Sequence, residues 1–256
     1  MIVKPDSPLV SACHPSPNFE PRRGVTKPSI LLLHYTGLAS VAKAIDWLTR
    51  PESKVSAHYV IDEAGSVTQM VAEDMRAWHA GAAVWAGETD INSLSIGIEV
   101  HNAGHEQGLP DFPEAQVAML EALCRDIIAR HAIRPERVLA HSDVAPTRKI
   151  DPGEKFPWAR LAAAGVGHWV TPEPVNWADP GMARDAAGPL IAAVQTKLAA
   201  YGYGIEATGG FDPRTEFVVK AFQRHFRPER VDGLIDQSTI TTLERLAAAL
   251  PQSASA

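Results

Sequence analysis

A buried strand that ends in a histidine is predicted by the stretch Ile30-Leu31-Leu32-Leu33-His34. A second apolar run, Val138-Leu139-Ala140-His141, ends in the same way. Short, continuous apolar runs are typical of strands that are covered on both faces of a sheet. Because α/β proteins place their sites at the ends of such strands, we expect His34 and His141 to lie at the rim of one sheet.

Strands and helices are predicted to alternate around these two runs. Apolar positions at helical spacing predict helices at 40–50 and 113–132, and β-rich runs predict strands at 57–61, 67–71 and 94–100. A hairpin turn is indicated between the first two of these strands by Asp62-Glu63-Ala64-Gly65. This order predicts an α/β fold in which helices flank a mixed central sheet.

Composition divides the chain into four segments. Residues 1–29 are rich in proline, serine and charge, and we expect an extended arm that packs on the domain that follows. That domain spans 30–169, and a linker with several prolines spans 170–187. Residues 188–250 are predicted to form a small three-helix domain, with helices near 190–198, 215–226 and 238–250.

Composition also argues against several classes of protein. The 256 residues carry a net charge of −6 and contain no block rich in lysine or arginine, so general nucleic-acid binding is not expected. No apolar run reaches the length of a membrane-spanning helix. The two cysteines, Cys13 and Cys124, are too isolated for a disulfide framework or a cysteine metal site. The oligomeric state stays open.

A metal site is the hypothesis that the two strand-terminal histidines suggest. Asp151 follows them in Arg148-Lys149-Ile150-Asp151-Pro152-Gly153. Two imidazoles and one carboxylate could hold one zinc ion per chain and leave its fourth position open, as in catalytic sites. Taken singly, these residues have simpler interpretations, because a histidine after an apolar strand is commonly structural and an aspartate before Pro-Gly commonly forms a turn.

A carboxylate and an ammonium group could supply the chemistry at such a metal. Glu99 lies in the apolar strand Ser95-Ile96-Gly97-Ile98-Glu99-Val100, where a charge is costly unless it is paired or faces a cleft. We interpret Glu99 as a general base, with a salt-bridged strand end as the alternative. Lys149 shares one side of an extended stretch with Asp151 and could stabilise an oxyanion, with a solvated loop lysine as the alternative.

Aromatic residues and further histidines are candidates for contact with a substrate. Trp78, His79 and Trp85 could form a wall against an apolar or sugar face, although core packing explains the tryptophans equally well. Tyr35 could pack or hydrogen bond to a substrate. Three more histidines, like His79, compete as metal ligands. We expect His58 to support the ligands, and His101 and His105 to lie on the rim.

Five motifs that occur in order carry a resemblance to a known family. They are Leu32-Leu33-His34-Tyr35-Thr36, Ser56-Ala57-His58-Tyr59-Val60, Arg76-Ala77-Trp78-His79-Ala80-Gly81, Asn92-Ser93-Leu94-Ser95-Ile96-Gly97-Ile98-Glu99 and His141-Ser142-Asp143-Val144-Ala145-Pro146-Thr147-Arg148-Lys149-Ile150-Asp151-Pro152-Gly153. Together they resemble the type 2 family of zinc N-acetylmuramoyl-L-alanine amidases, whose fold peptidoglycan recognition proteins share. The resemblance covers about residues 9–169, and its last motif is the most specific.

The resemblance implies a role for each matching residue. His34, His141 and Asp151 match the zinc ligands, Glu99 matches the catalytic glutamate, and Lys149 matches the lysine that assists at the carbonyl. The family cleaves the amide between the lactyl group of N-acetylmuramic acid and L-alanine. We assign substrate contacts to residues of the same motifs, and these are Tyr35, His58, Trp78, His79, Asn92 and Arg148.

The segment 188–250 resembles the peptidoglycan-binding domain that has a three-helix core. The matching stretches are Val194-Gln195-Thr196-Lys197-Leu198, Tyr201-Gly202-Tyr203, Gly210-Phe211-Asp212-Pro213-Arg214-Thr215, Ala221-Phe222-Gln223 and Val231-Asp232-Gly233-Leu234-Ile235-Asp236. We expect its core to contain Leu198, Phe211, Phe217, Phe222 and Leu234.

The combined expectation is a bacterial zinc amidase that degrades or recycles cell-wall material. Its partner would be peptidoglycan polymer or soluble muropeptides, including those that carry anhydro-muramic acid, and a linked wall-binding domain would raise the effective concentration. The alternatives are a peptidoglycan receptor that binds without cleavage and another zinc hydrolase, such as a peptidase. The first residues lack an apolar stretch of signal-peptide length, so we expect the cytosol, with the periplasm or cell envelope as the alternative.

Overall fold

The computed structural model describes residues 4–250, so the first three residues of the predicted arm lie outside it. Within this range the chain forms eight strands and eight α-helices. The strands are β1 Ala12–Cys13, β2 Phe19–Pro21, β3 Ile30–Tyr35, β4 Tyr59–Ile61, β5 Val67–Gln69, β6 Met75–Ala77, β7 Ser95–Val100 and β8 Val138–Ala140. The helices are α1 Val41–Thr49, α2 Ile91–Leu94, α3 Glu114–His131, α4 His141–Val144, α5 Trp158–Ala163, α6 Pro189–Tyr201, α7 Pro213–Phe226 and α8 Gln237–Ala248. No helix between residues 4 and 250 combines the length and the apolar character needed to cross a lipid bilayer.

Six of the strands in the described range form one mixed sheet, in the order β1-β5-β4-β7-β3-β8. β4, β7, β3 and β8 run parallel to one another, whereas β5 is antiparallel to β4 in the predicted hairpin. β1 runs parallel to β5 at the edge, and β2 and β6 form a separate antiparallel pair. The predicted mixed sheet with flanking helices is therefore confirmed.

The central strands β3 and β7 divide the core between the two faces of the sheet. The side chains that pack with helix α3 are Leu31, Leu33, Ile96 and Ile98. Ile30 and Leu32 alternate with them and belong to a second core, which continues into α6, α7 and α8. His34 follows Ile30 and Leu32 on this second face, and Glu99 is its partner in the register of β3 and β7. The end of the second face is therefore where the candidate site lies.

The N-terminal arm is bound to the sheet. It supplies β1 and β2, neither of which was predicted, because strands of two or three residues carry no periodic pattern. The half-buried guanidinium of Arg22 donates hydrogen bonds to the backbone oxygens of Glu73 (2.7 Å), Ser93 (2.7 Å) and Ser95 (3.0 Å). These bonds fix the arm beside the strand that carries Glu99.

Two predicted strand boundaries are wrong by one residue. Leu94 ends helix α2, so β7 begins only at Ser95. His141 is the first residue of helix α4, not the last residue of β8. The Asp143 carboxylate accepts a hydrogen bond from the Ala140 N–H (2.8 Å), which satisfies a backbone donor at the start of this helix and favours the turn.

The three C-terminal helices lie close to their predicted bounds. Asp212 and Asp236 cap α7 and α8 by accepting hydrogen bonds from the backbone N–H groups of Thr215 (2.7 Å) and Thr239 (2.7 Å). These caps explain why both helices begin where they do.

The predicted core of the C-terminal helices is confirmed in part. The side chains of Leu198, Phe211 and Phe222 are buried. Leu234 is only half-buried. Phe217 was predicted wrongly, since it is 39% exposed. It precedes the buried Val218 by one residue, and one residue turns a helix by about 100°, so Phe217 points away from the core.

The segment 170–187 lies against α8 and the turn before it. The Glu173 N–H donates to Thr242 Oγ1 (3.0 Å), and the Glu173 carbonyl accepts from Ser238 (2.7 Å). Met182 and Ile235 exchange backbone hydrogen bonds of 2.9 and 3.0 Å. The predicted linker is thus ordered by contacts with the C-terminal helices, and its boundaries stay predictions.

Candidate active site

Three side chains from distant parts of the sequence meet at the rim of the sheet. His34 Nδ1 lies 2.9 Å from His141 Nδ1 and 3.1 Å from Asp151 Oδ2. His141 Nδ1 lies 3.0 Å from the same oxygen, and all three residues are buried. The ligand atoms of a tetrahedral zinc site are separated by roughly 3.3 Å, so this triangle is close to that of a metal centre.

Each corner of the triangle is supplied by a different element. His34 lies near the end of β3, and His141 opens helix α4. Asp151 lies in the loop after α4, and its backbone oxygen accepts a hydrogen bond from the Ser142 N–H (3.0 Å). The loop is therefore tied to the helix that carries His141.

The outer nitrogen of each histidine ring is also in contact with a polar atom. His141 Nε2 lies 3.0 Å from the backbone oxygen of Ala80. His34 Nε2 lies 3.0 Å from His79 Nδ1, and His79 Nε2 lies 3.3 Å from Ser95 Oγ. When the Nε2 atoms carry the protons, every one of these contacts is a hydrogen bond and both inner Nδ1 atoms keep a lone pair. This tautomer assignment leaves the triangle ready to bind a cation.

Gly97 allows His79 to approach His34. A Cβ atom at position 97 would lie 2.5–2.7 Å from three atoms of the His79 ring. Only glycine permits this contact without a shift of the ring, because it lacks that atom. The glycine in the middle of β7 is therefore explained by a neighbour of the candidate ligands.

The protonation states of the triangle also suit a metal. Burial and the nearby His141 lower the pKa of His34 to about 4, so its imidazole is neutral at pH 7. Burial opposes ionisation of Asp151, but His141 and His34 outweigh it and hold its pKa well below the usual range. A neutral imidazole and an ionised carboxylate are the forms that bind zinc.

Glu99 lies beside this triangle with one oxygen unused. Among residues 4–250, no group hydrogen bonds to Glu99 Oε2, although that atom is buried. Burial and the charge of Asp151 raise the pKa of Glu99 well above its ordinary value, and Lys149 opposes the rise. A carboxyl with a raised pKa and one buried oxygen free of hydrogen bonds is suited to proton transfer.

A cavity of about 430 Å³ opens onto these groups. Its lining includes His34, His141, Asp151, Glu99 and Lys149. Lys149 is half-buried, and no ion pair to it is found within the described part of the chain. The candidate metal ligands, the Glu99 carboxyl and the Lys149 ammonium group therefore border the same cavity.

Comparison with known proteins identifies the family. The family model described as N-acetylmuramoyl-L-alanine amidase matches residues 24–154. The N-acetylmuramoyl-L-alanine amidase AmiD of Escherichia coli (strain K12) is 38% identical over 231 residues, which are 85% of this chain and 81% of AmiD. The chain belongs to the N-acetylmuramoyl-L-alanine amidase family. It is therefore an amidase, a hydrolase that acts on peptidoglycan material.

Solved structures of two related amidases extend over most of the chain. E. coli AmiD, in complex with the substrate anhydro-N-acetylmuramic acid-L-Ala-D-γ-Glu-L-Lys, is similar with a TM-score of 0.74 and 35% identity, covering 92% of this chain and 99% of AmiD. AmpDh3 from Pseudomonas aeruginosa, in complex with an anhydromuramic pentapeptide, has a TM-score of 0.75 and 33% identity, covering 90% of this chain and 95% of AmpDh3. A peptidoglycan-binding domain family matches residues 187–243. The resemblance stated from the motifs is confirmed for both parts of the amidase.

Four of the six residues predicted to contact substrate line the cavity of the amidase. They are Tyr35, Trp78, His79 and Arg148. Tyr35 Oη lies 3.0 Å from His105 Nδ1, and Arg148 donates to the backbone oxygens of Ala80 (2.6 Å) and Ala82 (2.9 Å). His79 faces the cavity, but its ring is bonded to His34. Their contacts with substrate stay predictions.

The other two predicted substrate residues, His58 and Asn92, are not among the residues that line the cavity. His58 is fully buried, its Nδ1 accepts from the Gly97 N–H (2.9 Å), and its Nε2 lies 3.3 Å from Arg22. Asn92 accepts hydrogen bonds from the backbone N–H groups of His79 (3.0 Å) and Ala80. These bonds tie the His58 ring and the Asn92 carbonyl to the walls of the amidase site, and contacts of both residues with substrate stay predictions.

Trp85 does not form the predicted wall. It is 2% exposed and packs against Tyr201 and Tyr203, with ring centroids 6.0 and 5.0 Å away. Core packing, the alternative stated for this tryptophan, is therefore correct. Trp47, which is 49% exposed, lines the cavity instead and was not predicted as a site residue. The sequence feature that could have predicted Trp47 as a cavity residue is its place as an aromatic residue on the polar side of α1.

Proposed function

We propose that the amidase hydrolyses the amide bond between anhydro-N-acetylmuramic acid and L-alanine, using one zinc ion held by His34, His141 and Asp151. The observation that supports it best is the triangle of two imidazole nitrogens and one carboxylate oxygen, with edges of 2.9–3.1 Å, at the floor of a cavity. Zinc, when bound there, would supply Lewis-acid polarisation of the carbonyl and of the attacking water.

Glu99 is the proposed general base. Its buried Oε2 is not engaged by any residue in the range 4–250, so it can accept a proton from the water that attacks the carbonyl. The same carboxyl can then deliver the proton to the nitrogen of the departing L-alanine. The raised pKa of Glu99 makes its ionised carboxylate a stronger base than an ordinary glutamate.

Lys149 is proposed to stabilise the negative charge that develops on the carbonyl oxygen. It lines the same cavity as Glu99 and Asp151. An ammonium group held near the developing oxyanion, in a site with little water, stabilises the transition state more than the ground state.

The substrate is proposed to lie between aromatic and cationic walls. Trp47 and Trp78 line the cavity and offer apolar faces to a sugar ring. Arg148 at the same cavity can pair with carboxylates of a stem peptide. The complexes of AmiD and AmpDh3 contain anhydromuropeptides, which favours soluble fragments as substrate, with the polymer as the alternative.

The organisation of the chain is part of the proposal. The catalytic domain spans 30–169 with the arm 1–29 packed on it, and 188–250, after the linker 170–187, binds peptidoglycan. The match of 187–243 to the peptidoglycan-binding family supports the last assignment. Fractionation of cells that express the chain separates the expected cytosolic location from the envelope location that wall binding favours.

The decisive experiment gives the purified full chain two substrates, anhydro-N-acetylmuramic acid-L-Ala-D-γ-Glu-L-Lys and intact sacculi. We expect mass spectrometry to detect free L-Ala-D-γ-Glu-L-Lys, with one zinc per chain by elemental analysis and loss of activity after chelation. Binding without any cleavage would favour the receptor alternative. A product cut within the stem peptide would favour the peptidase alternative.

A further inference from the structure

A buried carboxylate joins the C-terminal helices to the candidate active site. Asp143 is fully buried, and it accepts hydrogen bonds from Tyr203 Oη (2.7 Å), from His225 Nδ1 (2.7 Å) and from the Ala140 N–H (2.8 Å). Two of these three donors lie in the part of the chain that matches the peptidoglycan-binding family. The carboxylate itself lies in the amidase part.

Asp143 shares a helix with a candidate ligand. Helix α4 spans only His141–Val144, so a change in the position of Asp143 moves His141 as well. The Ser142 N–H donates to the backbone oxygen of Asp151 (3.0 Å). One turn of helix therefore connects Asp143 to two of the three candidate ligands.

Both donors from the C-terminal helices are held by packing. The His225 ring stacks on Trp158, with centroids 3.7 Å apart, and on Phe226, with centroids 3.8 Å apart. Tyr203 packs edge-on against Trp85, with centroids 5.0 Å apart. These contacts give each donor one position from which it reaches Asp143.

We propose that Tyr203 and His225 are positioning residues for the amidase reaction, so that the C-terminal helices are a structural part of the active site. A buried carboxylate needs hydrogen-bond donors, and those donors fix its geometry. Because Asp143 lies in α4, the position of its carboxylate affects the position of His141 and, through the Ser142 N–H, that of Asp151. The inference rests on the proposed metal site.

Two substitutions in the full chain each remove one hydrogen-bond donor to Asp143 and keep an aromatic ring at that position. Tyr203→Phe deletes a hydroxyl, and His225→Phe keeps the stacked surface. We expect each to weaken zinc binding about 10-fold, as for other residues that orient metal ligands, measured by competition with a chromogenic chelator. We also expect a lower kcat with little change in KM, because neither residue lines the cavity that the described residues enclose.

A conservative variant and a matched control separate positioning from stability. His225→Asn should restore most of the zinc affinity, because its amide nitrogen can donate from the place of Nδ1. Tyr201→Phe removes a hydroxyl at the same end of α6, where it contacts His168 Nδ1 (2.9 Å) and not Asp143. It should keep wild-type zinc affinity and kcat even if its thermal midpoint falls.

The outcomes distinguish this inference from the proposed function. Unchanged zinc affinity and kcat in both Tyr203→Phe and His225→Phe would overturn the inference, whatever happens to the thermal midpoint. A wild-type chain that binds no zinc would overturn the proposed function and the inference together. If His225→Phe fails to fold, Tyr203→Phe carries the test alone, since it removes a single oxygen atom.

Discussion

His34 and Glu99 occupy paired positions on the neighbouring parallel strands β3 and β7. Such strands lie about 4.8 Å apart, and paired residues point to the same face. The sheet therefore sets the distance between the proposed ligand and the proposed base. A slip of one residue would send one of the two side chains to the opposite face, so the core residues that fix the register also protect the site.

Glu99→Gln should abolish turnover while zinc stays bound. The amide has nearly the same shape but cannot take up a proton, and loss of a general base costs roughly 100- to 10,000-fold. His34→Ala should lose the metal instead, because one of three ligands is gone. Turnover of the anhydromuropeptide and zinc content measured on both variants check this pair. Wild-type turnover in Glu99→Gln would remove Glu99 from the mechanism.

His79→Ala should weaken zinc binding by about 10- to 100-fold, because His79 orients His34 through a 3.0 Å contact. Gly97→Ala should act in the same direction, since a Cβ there would displace the His79 ring. His168→Ala, a histidine in contact with Tyr201, is the control. Chelator competition gives the affinity, and equal affinity in His79→Ala and wild type would show that the contact does not orient the ligand.

The sequence predicted the elements that have strong periodic patterns and the residues that carry chemistry. The apolar runs before His34 and His141 predicted β3 and its parallel neighbour β8, whose ends bring the two histidines together. Motifs located the site but not the direction of each side chain. His58 lies in a motif, yet its direction is set by the Gly97 N–H (2.9 Å) and the backbone oxygen of Met75 (3.1 Å), which no local pattern reveals.

Contacts between the two parts of the chain were also beyond local patterns. Trp85 packs on Tyr201 and Tyr203, and Asp143 bonds to Tyr203 and His225. Such contacts depend on how two distant segments of the chain meet, and amphipathic spacing describes only which face of each is apolar. The shared core could therefore be found only from the structure.

Lys149→Met should move the acid limb of kcat/KM to higher pH. Glu99 must be ionised to act as a base, and its pKa is raised by burial and by Asp151 but lowered by Lys149. Removal of the ammonium group raises the pKa of Glu99 further, so activity is lost at a higher pH as the solution is acidified. Lys155→Met, which removes an exposed partner of Asp111, should leave the limb unchanged. A limb at the same pH in Lys149→Met and wild type would show that the two groups do not interact.

Glu73→Gln should destabilise the fold at neutral pH and matter little in acid. The Glu73 side chain is buried and accepts hydrogen bonds from Tyr59 (2.6 Å), His131 (2.6 Å) and Arg130. Burial alone would raise the pKa of Glu73, but these donors outweigh it and lower the pKa to about 2. A carboxyl with a lowered pKa in the folded state stabilises the fold above its ordinary pKa of 4.5, and this stabilisation is lost as the pH falls towards about 2.

The difference in pKa corresponds to about 3 kcal/mol at pH 7. Urea unfolding of wild type and Glu73→Gln should therefore give a gap of that order in the free energy of unfolding at pH 7, and a gap that closes steadily below about pH 4.5. Glu52→Gln, at an exposed position after α1, should show no gap at either pH. A gap in Glu73→Gln that stays constant with pH would mean that packing, and not the ionised carboxylate, holds this part of the fold together.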